Sequence, residues 1–486
     1  MSLRNELLPH QKAAVEKLVK VKVGALFMEQ GTGKTITALE LCRRRLEKGK
    51  IDRIIWLCPC PAKQNIKEEI IKQVEGDMLK CITICGIETL STSVRANCYL
   101  MKLVETYRCY LVVDESLLIK NPKALRTENI LELAKKCSYK LILNGTPISR
   151  NEADLYAQMY LLDWRILGYR SYWAFAANHI EYDPKVPGKI VRCLNTEYLA
   201  RKIAPYSYEV RKKDCLVLPN KRESCIPFRM TNEQWDHYEA VADQLLGKID
   251  EMHPETIYRL FSGVQAVACG RQVVFLNEQH MRSEPFFQNP EENPRIQCLL
   301  RCLQKIGNEK TIIFCTYQSD VEQICDILNR RYGNGIAVHF DGAVSNSKRT
   351  ESIRAFRKEA RYFVANRKCA GYSLNLQFCH NIVYYANEWD LATWLQSQDR
   401  VHRYGQTEEV HLYELYAADT IDERIQMCLA RKENLLMKIK KDIVAMNGKE
   451  IIQEYLNLKR KKGGVNTLFD CSDLVEGEYD AENISG

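Results

Sequence analysis

The segment Met28-Glu29-Gln30-Gly31-Thr32-Gly33-Lys34-Thr35 constrains the fold more than any other, because a phosphate loop works only between a buried strand and the N-terminus of a helix. Gly31 and Gly33, flanking Thr32, let backbone N–H groups approach phosphate oxygens. Lys34 brings positive charge to the β- and γ-phosphates, and the Thr35 hydroxyl can hold Mg²⁺. The general pattern has glycine where Met28 stands. The surroundings restore the motif: residues 23–27 are expected as a buried strand, and 35–42 as the helix leaving the loop. A glycine-rich turn that binds nothing would not require that order.

The same rhythm of short apolar runs and helical patterns continues. Strands are expected at 23–27, 53–57, 81–84, 110–113 and 140–143, then again at 311–314, 336–340, 362–364, 381–385 and 411–415. Their spacing suits crossover helices, which predicts two parallel α/β lobes. Four segments result: a first ATP-binding lobe at 1–150, mostly helical insertions and linker at 151–294, a second lobe at 295–440, and an extension at 441–486. In the insertions, Thr231 and Gln234 form a capping-box pattern, and Trp235, Tyr238, Val241, Ala242, Leu245 and Ile249 recur at helical spacing as a core stripe. The extension turns from basic, Lys459 to Lys462, to acidic, and is expected to be flexible.

With 486 residues, 46% of them hydrophobic and 27% charged, the chain has the composition of a soluble globular protein of about three domains. No stretch approaches ~18 uninterrupted apolar residues and no leader pattern is visible, so the expected location is the cytoplasm, or the nucleus if the source is eukaryotic, with no membrane partner. Twenty cysteines are scattered through apparent strands and helices without zinc-site spacing, so neither disulfides nor structural zinc are expected. The net charge of +8 permits a polyanionic partner without requiring one.

Two further constellations carry chemistry. Asp114-Glu115 closes an apolar run: a carboxylate at the end of a strand beside the phosphate loop can hold the Mg²⁺ shell, while its neighbour orients or deprotonates the attacking water. The second lobe has no phosphate loop but carries Gln396-Ser397-Gln398-Asp399-Arg400-Val401-His402-Arg403. Read as helical from Trp394 onward, this segment would project Arg400 and Arg403 from one face, placed to stabilise charge on a transferring γ-phosphoryl group. A surface Arg pair balanced by Asp399 is the plainer alternative.

Taken in order, these segments resemble the Swi/Snf-type DNA-translocating ATPases of helicase superfamily two, over residues 7 to 425. Leu8-Pro9-His10-Gln11 is similar to the segment whose Gln recognises adenine, which makes Gln11 the base-reading candidate. Residues 28–35 match motif one; Leu57-Cys58-Pro59 with 66–70 resembles motif one-a. Asp114-Glu115-Ser116-Leu117-Leu118-Ile119-Lys120-Asn121 matches motif two, and Leu141-Ile142-Leu143-Asn144-Gly145-Thr146-Pro147 motif three. Ile312-Ile313-Phe314 resembles motif four, 370–376 motif five, and Gln396 through Gln406 the sixth motif almost letter for letter. The resemblance implies two tandem RecA-like lobes that hydrolyse ATP with Mg²⁺ in the cleft between them. It also implies sequence-independent movement along double-stranded DNA, with Gln396 in the nucleotide site and Lys120, Asn121, Thr146 and Asn375 as DNA contacts. A protein partner recruiting it to a repair, recombination, restriction or replication complex would fit. Leu117, Asn144 and Ser373 depart from the pattern at coupling positions, and no chromatin-reading module is visible, as in a minimal prokaryotic or viral member. The competing expectations are a strand-separating DNA or RNA helicase and an ATP-dependent switch or assembly factor acting on a protein.

Overall fold

Ten apolar runs supply five strands each to two six-stranded sheets, and both sheets are parallel throughout. The computed structural model describes residues 2–145, 148, 151–184, 190–246, 254–275, 281–341, 346–367, 374–387 and 390–431. The chain divides near residue 218 into two compact units, each holding one sheet.

In the first unit the strand order is Ser207–Val210, Val23–Met28, Tyr139–Asn144, Cys109–Asp114, Arg53–Cys58, Ile82–Gly86. An all-parallel sheet is covered on both faces, so its strands read as continuous apolar runs. Alternate residues serve two cores. Leu26, Ile54, Trp56, Tyr110, Val112, Leu141 and Leu143 pack with the helices Pro9–Leu18 and Lys34–Glu47, whereas Phe27, Ile55, Leu57, Leu111, Val113 and Ile142 pack on the other side with Leu133, Met159 and Phe175.

The second unit orders its strands Lys221–Phe228, Val410–Ala417, Asn381–Tyr384, Thr311–Cys315, Tyr362–Asn366, Ala337–Phe340. Ile313, Cys315, Val364, Val383 and Leu415 face a core shared with the helices Pro294–Ile306 and Gln318–Tyr332.

Among its described residues the region expected to be mostly helical holds helices from Leu155–Asp163 to Pro254–Ala268, but also two antiparallel strand pairs and an edge strand for each six-stranded sheet, which the sequence reading did not find. Ser207–Val210 and Lys221–Phe228 are short or half exposed, and the latter carries Pro227, which an edge strand tolerates and a central one does not. The stripe Trp235, Tyr238, Val241, Ala242 is core as expected, on the helix Asn232–Leu246; the side chains of Leu245 and Ile249 lie outside the described residues. The capping box is only half made. Gln234 N donates to Thr231 Oγ1 at 3.1 Å, but the buried Gln234 side chain donates to the Val267 carbonyl at 2.7 Å instead of turning back, because burial commits it to the neighbouring helix. Among the described residues no helix is long and apolar enough to cross a membrane, every cysteine is a free thiol, and no three His, Cys, Asp or Glu side chains are grouped to hold a metal ion. Thr146, Pro147, residues 370–373 and the extension from 441 fall outside the described residues.

Candidate active site

The phosphate loop joins the strand Val23–Met28 to the helix Lys34–Glu47, whose first amides have no partner within the helix and point toward any ligand there. Its two left-handed positions are Gly31, φ 85°, and Gly33, φ 90°. Met28 needs no such freedom. It is the buried last residue of the strand, paired with Val210, and its carbonyl accepts from Lys34 Nζ at 2.9 Å, so glycine is dispensable there.

Gly33 has a second reason to lack a side chain: a Cβ would lie 2.1 Å from Gln11 Nε2. Gln11 crosses over the loop, donating to the Thr32 carbonyl at 2.9 Å while its Oε1 accepts from Leu8 N at 2.9 Å. His10, which the sequence reading passed over, donates to the same carbonyl at 2.8 Å. A primary amide has two N–H groups and two oxygen lone pairs, so Gln11 retains capacity for a base edge while bracing the loop. Thr32 Oγ1 donates to the Glu29 carbonyl at 2.7 Å. The Glu29 carboxylate accepts from Lys212 N at 2.8 Å, tying the loop to the segment after the edge strand. Thr35 is buried in the first turn of the helix.

Asp114 ends the strand Cys109–Asp114, but that strand does not adjoin the loop strand: Tyr139–Asn144, the strand leading into motif three, lies between them. The carboxylate still feels the loop. Burial, then the Glu115 charge, pushes the Asp114 pKa up to about 7, while Lys34 pulls it back. Glu115 sits at φ 53°, ψ 56°, a left-handed conformation costly for a residue with a Cβ, and its N–H donates to Asp114 Oδ1 at 3.0 Å. Non-glycine residues held there cluster at functional sites. A crowded acid pair next to a lysine and a helix-borne threonine hydroxyl fits Mg²⁺, which takes one or two protein oxygens and fills its shell with phosphate and water.

Beyond the acid pair, Ser116 Oγ donates to Gln158 Oε1 at 2.6 Å and accepts from Asn144 Nδ2 at 3.4 Å, all three side chains being buried. Gln158 Nε2 donates to the Asp154 carbonyl at 2.8 Å, and Lys120 Nζ is 3.9 Å from Asp154 Oδ1. Motif two and motif three are thus hydrogen-bonded together through Gln158, and Lys120 joins them by an ion pair with Asp154. Nothing in the sequence marks Gln158 as a member. Asn121 is exposed and accepts from Lys123 N at 3.0 Å.

In the second unit the helix expected to carry both arginines spans Leu391–Gln398 and stops before them. Arg400 and Arg403 therefore do not share a helical face. The backbone closes into short turns, Arg400 N to Ser397 O, Val401 N to Gln398 O, Arg403 N to Val401 O, while Leu376 N takes the Arg400 carbonyl at 3.0 Å and diverts it from helical bonding. Arg400 is buried, Arg403 half-buried, and the Arg403 Nε is shielded from solvent without a hydrogen-bond partner among the described residues. Gln396 is half-buried and Asn375 exposed. The trailing Gly405-Gln406 is structural. Gly405 takes φ 94°, with a Cβ position 2.6 Å from Gln377 Nε2, and buried Gln406 donates to the Cys379 carbonyl at 3.0 Å.

Parallel sheets, a phosphate loop and a strand-end acid pair define a P-loop nucleotide hydrolase. Residues 10–280 match the SNF2-related domain and residues 294–405 the helicase conserved C-terminal domain. The chain belongs to the SNF2-related ATPase family of helicase superfamily two, and each of its two units is built on one six-stranded parallel sheet. It is 24% identical to an uncharacterised ATP-dependent helicase, YqhH, of Bacillus subtilis over 89% of this chain and 79% of that protein. It is 23% identical to a DNA repair and recombination protein RAD54-like of Drosophila yakuba over 89% of this chain and 63% of that one. The chain spans only 29% of a CHD3-type chromatin-remodeling factor, CHR7, of Arabidopsis thaliana, at 23% identity over 71% of its own length. Among solved structures it is similar to the Sulfolobus solfataricus SWI2/SNF2 ATPase core in complex with dsDNA, at 22% identity and TM-score 0.39, covering 94% of this chain and 98% of that chain.

Proposed function

We propose that the protein is an ATP-driven translocase on double-stranded DNA, moving along the duplex without reading its sequence and so remodelling DNA or protein–DNA complexes. One observation carries this: a phosphate loop and an acid pair meet at the C-terminal ends of the strands of one parallel sheet in a chain of the SNF2-related family. Gln11 holds the adenine edge, the amides of Gly31, Thr32 and Gly33 with Lys34 hold the phosphates, and Thr35 and Asp114 hold Mg²⁺. Bound there, Mg²⁺ would supply charge neutralisation on the phosphate oxygens. Glu115 orients the attacking water and takes its proton as the bond from the γ-phosphorus to the bridging oxygen breaks. Arg400 and Arg403, with Gln396 beside them, stabilise the charge that develops.

Lys120, Asn121, Thr146 and Asn375 contact the sugar-phosphate backbone, which carries no sequence code and makes binding weaken steeply with salt. The assembly of Ser116, Asn144, Gln158 and Asp154 gives the Lys120 contact a route to the acid pair. Relatives named for repair and recombination or for chromatin remodelling favour a protein partner that delivers the motor to such a complex.

The test compares ATP turnover with duplex DNA, single-stranded DNA, RNA and no polymer, alongside triplex displacement and strand separation on tailed duplexes. Stimulation by duplex with triplex displacement and no unwinding is expected. Efficient unwinding would make the protein a strand-separating helicase, and turnover indifferent to DNA would make it a switch acting on a protein partner.

A further inference from the structure

The helix Tyr172–His179 is anchored by a dense aromatic cluster. Phe175, Ala176 and His179 are buried on one face; the Tyr156 ring lies 5.5 Å from that of Tyr172 and 5.3 Å from that of Phe175; Tyr172 and Tyr182 hydroxyls meet at 3.2 Å, and the Tyr169 hydroxyl meets His179 Nε2 at 3.0 Å. Ser171 Oγ accepts from Ala174 N at 3.2 Å and caps the start. So fixed, the helix turns Trp173 outward, 65% exposed, whereas the other described tryptophans are buried or half-buried. Leaving an indole in water forgoes the burial that stabilises the others.

Beside it stands Lys123, whose ammonium lies 5.2 Å from the Trp173 ring centroid. Lys123 belongs to the turn that carries Lys120 and Asn121, and its amide is bonded to the Asn121 side chain. Leu125, two residues on, is also 55% exposed. A rigid exposed aromatic next to a cation of the turn assigned above to the DNA backbone combines a stacking platform with phosphate-binding charge.

We propose that Trp173 and Lys123 form a stacking site for an unpaired base at a duplex end or fork, with Trp173 taking the base face and Lys123 an adjoining phosphate. The site rests on the DNA-translocase function only in that residues 120–121 lie along nucleic acid. It adds a substrate preference: duplex bearing a single-stranded tail over blunt duplex. The positive charge of Lys123 beside the indole favours a polyanion over an apolar peptide.

The full chain would be titrated, without nucleotide, against a fluorescein-labelled blunt duplex and the same duplex with a tail of either polarity, reading anisotropy, with Trp173→Ala and Trp173→Phe in parallel. Wild-type protein should favour one tailed duplex by about tenfold, Trp173→Ala should erase that preference, and Trp173→Phe should retain part of it. No tail preference in the wild type, or equal losses on tailed and blunt DNA in Trp173→Ala, would overturn the site and leave the indole as a protein-docking surface. Tailed binding without blunt binding would sink the duplex motor and keep this site; equal binding to both would do the reverse.

Discussion

The phosphate loop of the first unit and the turn of residues 399–406 in the second both hold cationic side chains on a backbone bent at glycine, yet their polar residues are used in opposite ways. In the loop, Gly31 and Gly33 open the backbone to a ligand, and Gln11 and His10 brace it by bonding the one carbonyl of Thr32. In the turn, Gly405 leaves room for the Gln377 side chain and Gln406 fixes the chain to the Cys379 carbonyl, and what they leave for chemistry is Arg400 and Arg403. Similar residue types thus mean ligand contact in one place and scaffold in the other.

The strongest break in this comparison is Arg403→Ala. If the turn exists to present guanidinium groups, turnover should fall about a thousandfold with ATP affinity within a few-fold of wild type, read by single-turnover kinetics and nucleotide titration. Loss of ATP binding instead would return Arg403 to the ground-state site.

A paired substitution sharpens the contrast. Gly33→Ala places a Cβ 2.1 Å from Gln11 Nε2, which is held by Thr32 and Leu8, at a φ of 90°. ATP affinity should fall about a hundredfold, since each 1.4 kcal/mol is tenfold and the strain and the lost approach each cost that much or more. Gly405→Ala meets Gln377 Nε2 at 2.6 Å. It should leave ATP affinity intact and lower kcat several-fold.

Asp114 supplies a pH-dependent effect confined to the first unit. Its folded pKa of about 7 lies above the ordinary 3.8, so the folded protein binds that proton more tightly than the unfolded chain. Stability therefore falls as pH rises from about 4 to about 7, and the loss is complete above 7. Asp114→Asn should raise Tm at pH 8, by up to a few kcal/mol of stability, and by less at pH 5, while abolishing Mg²⁺-dependent turnover. In the wild type, apparent Mg²⁺ affinity should weaken up to about tenfold for each pH unit below 7. An unchanged Tm at pH 8 would mean that Asp114 is already ionised without strain.

The smallest effect tests the link between motifs two and three. Ser116→Ala strands the buried Gln158 Oε1 and removes the acceptor of Asn144, which should cost about 1–3 kcal/mol by thermal unfolding and reduce DNA stimulation more than basal turnover. A double-mutant cycle with Gln158→Ala showing no coupling would remove the pair from that route.

Both sheets were legible in the amino-acid order because each interior strand is an apolar run whose burial on two faces leaves its mark locally, as at 110–113 and 311–314. The phosphate loop was legible despite Met28, since strand, loop and helix follow one another directly. The edge strands Ser207–Val210 and Lys221–Phe228 were not: half of the latter is exposed, so no hydrophobic run announces it, and only the neighbour Val410–Ala417 gives it a partner. The end of the helix at Gln398 was equally hidden. It depends on Leu376, more than twenty residues upstream, taking the Arg400 carbonyl.

By itself the sequence determined the two parallel sheets, the loop and the order of reactive residues, since all of these follow from side-chain periodicity and neighbours within a few positions. Tertiary structure alone decided that Tyr139–Asn144 separates the loop strand from the acid strand, that Gln158 joins motif two to motif three, that Gly405-Gln406 holds a turn, and that Trp173 faces solvent beside Lys123. Periodicity records that a residue is buried. Which atoms meet it is set by segments distant in the chain, and their placement is a property of the packed whole.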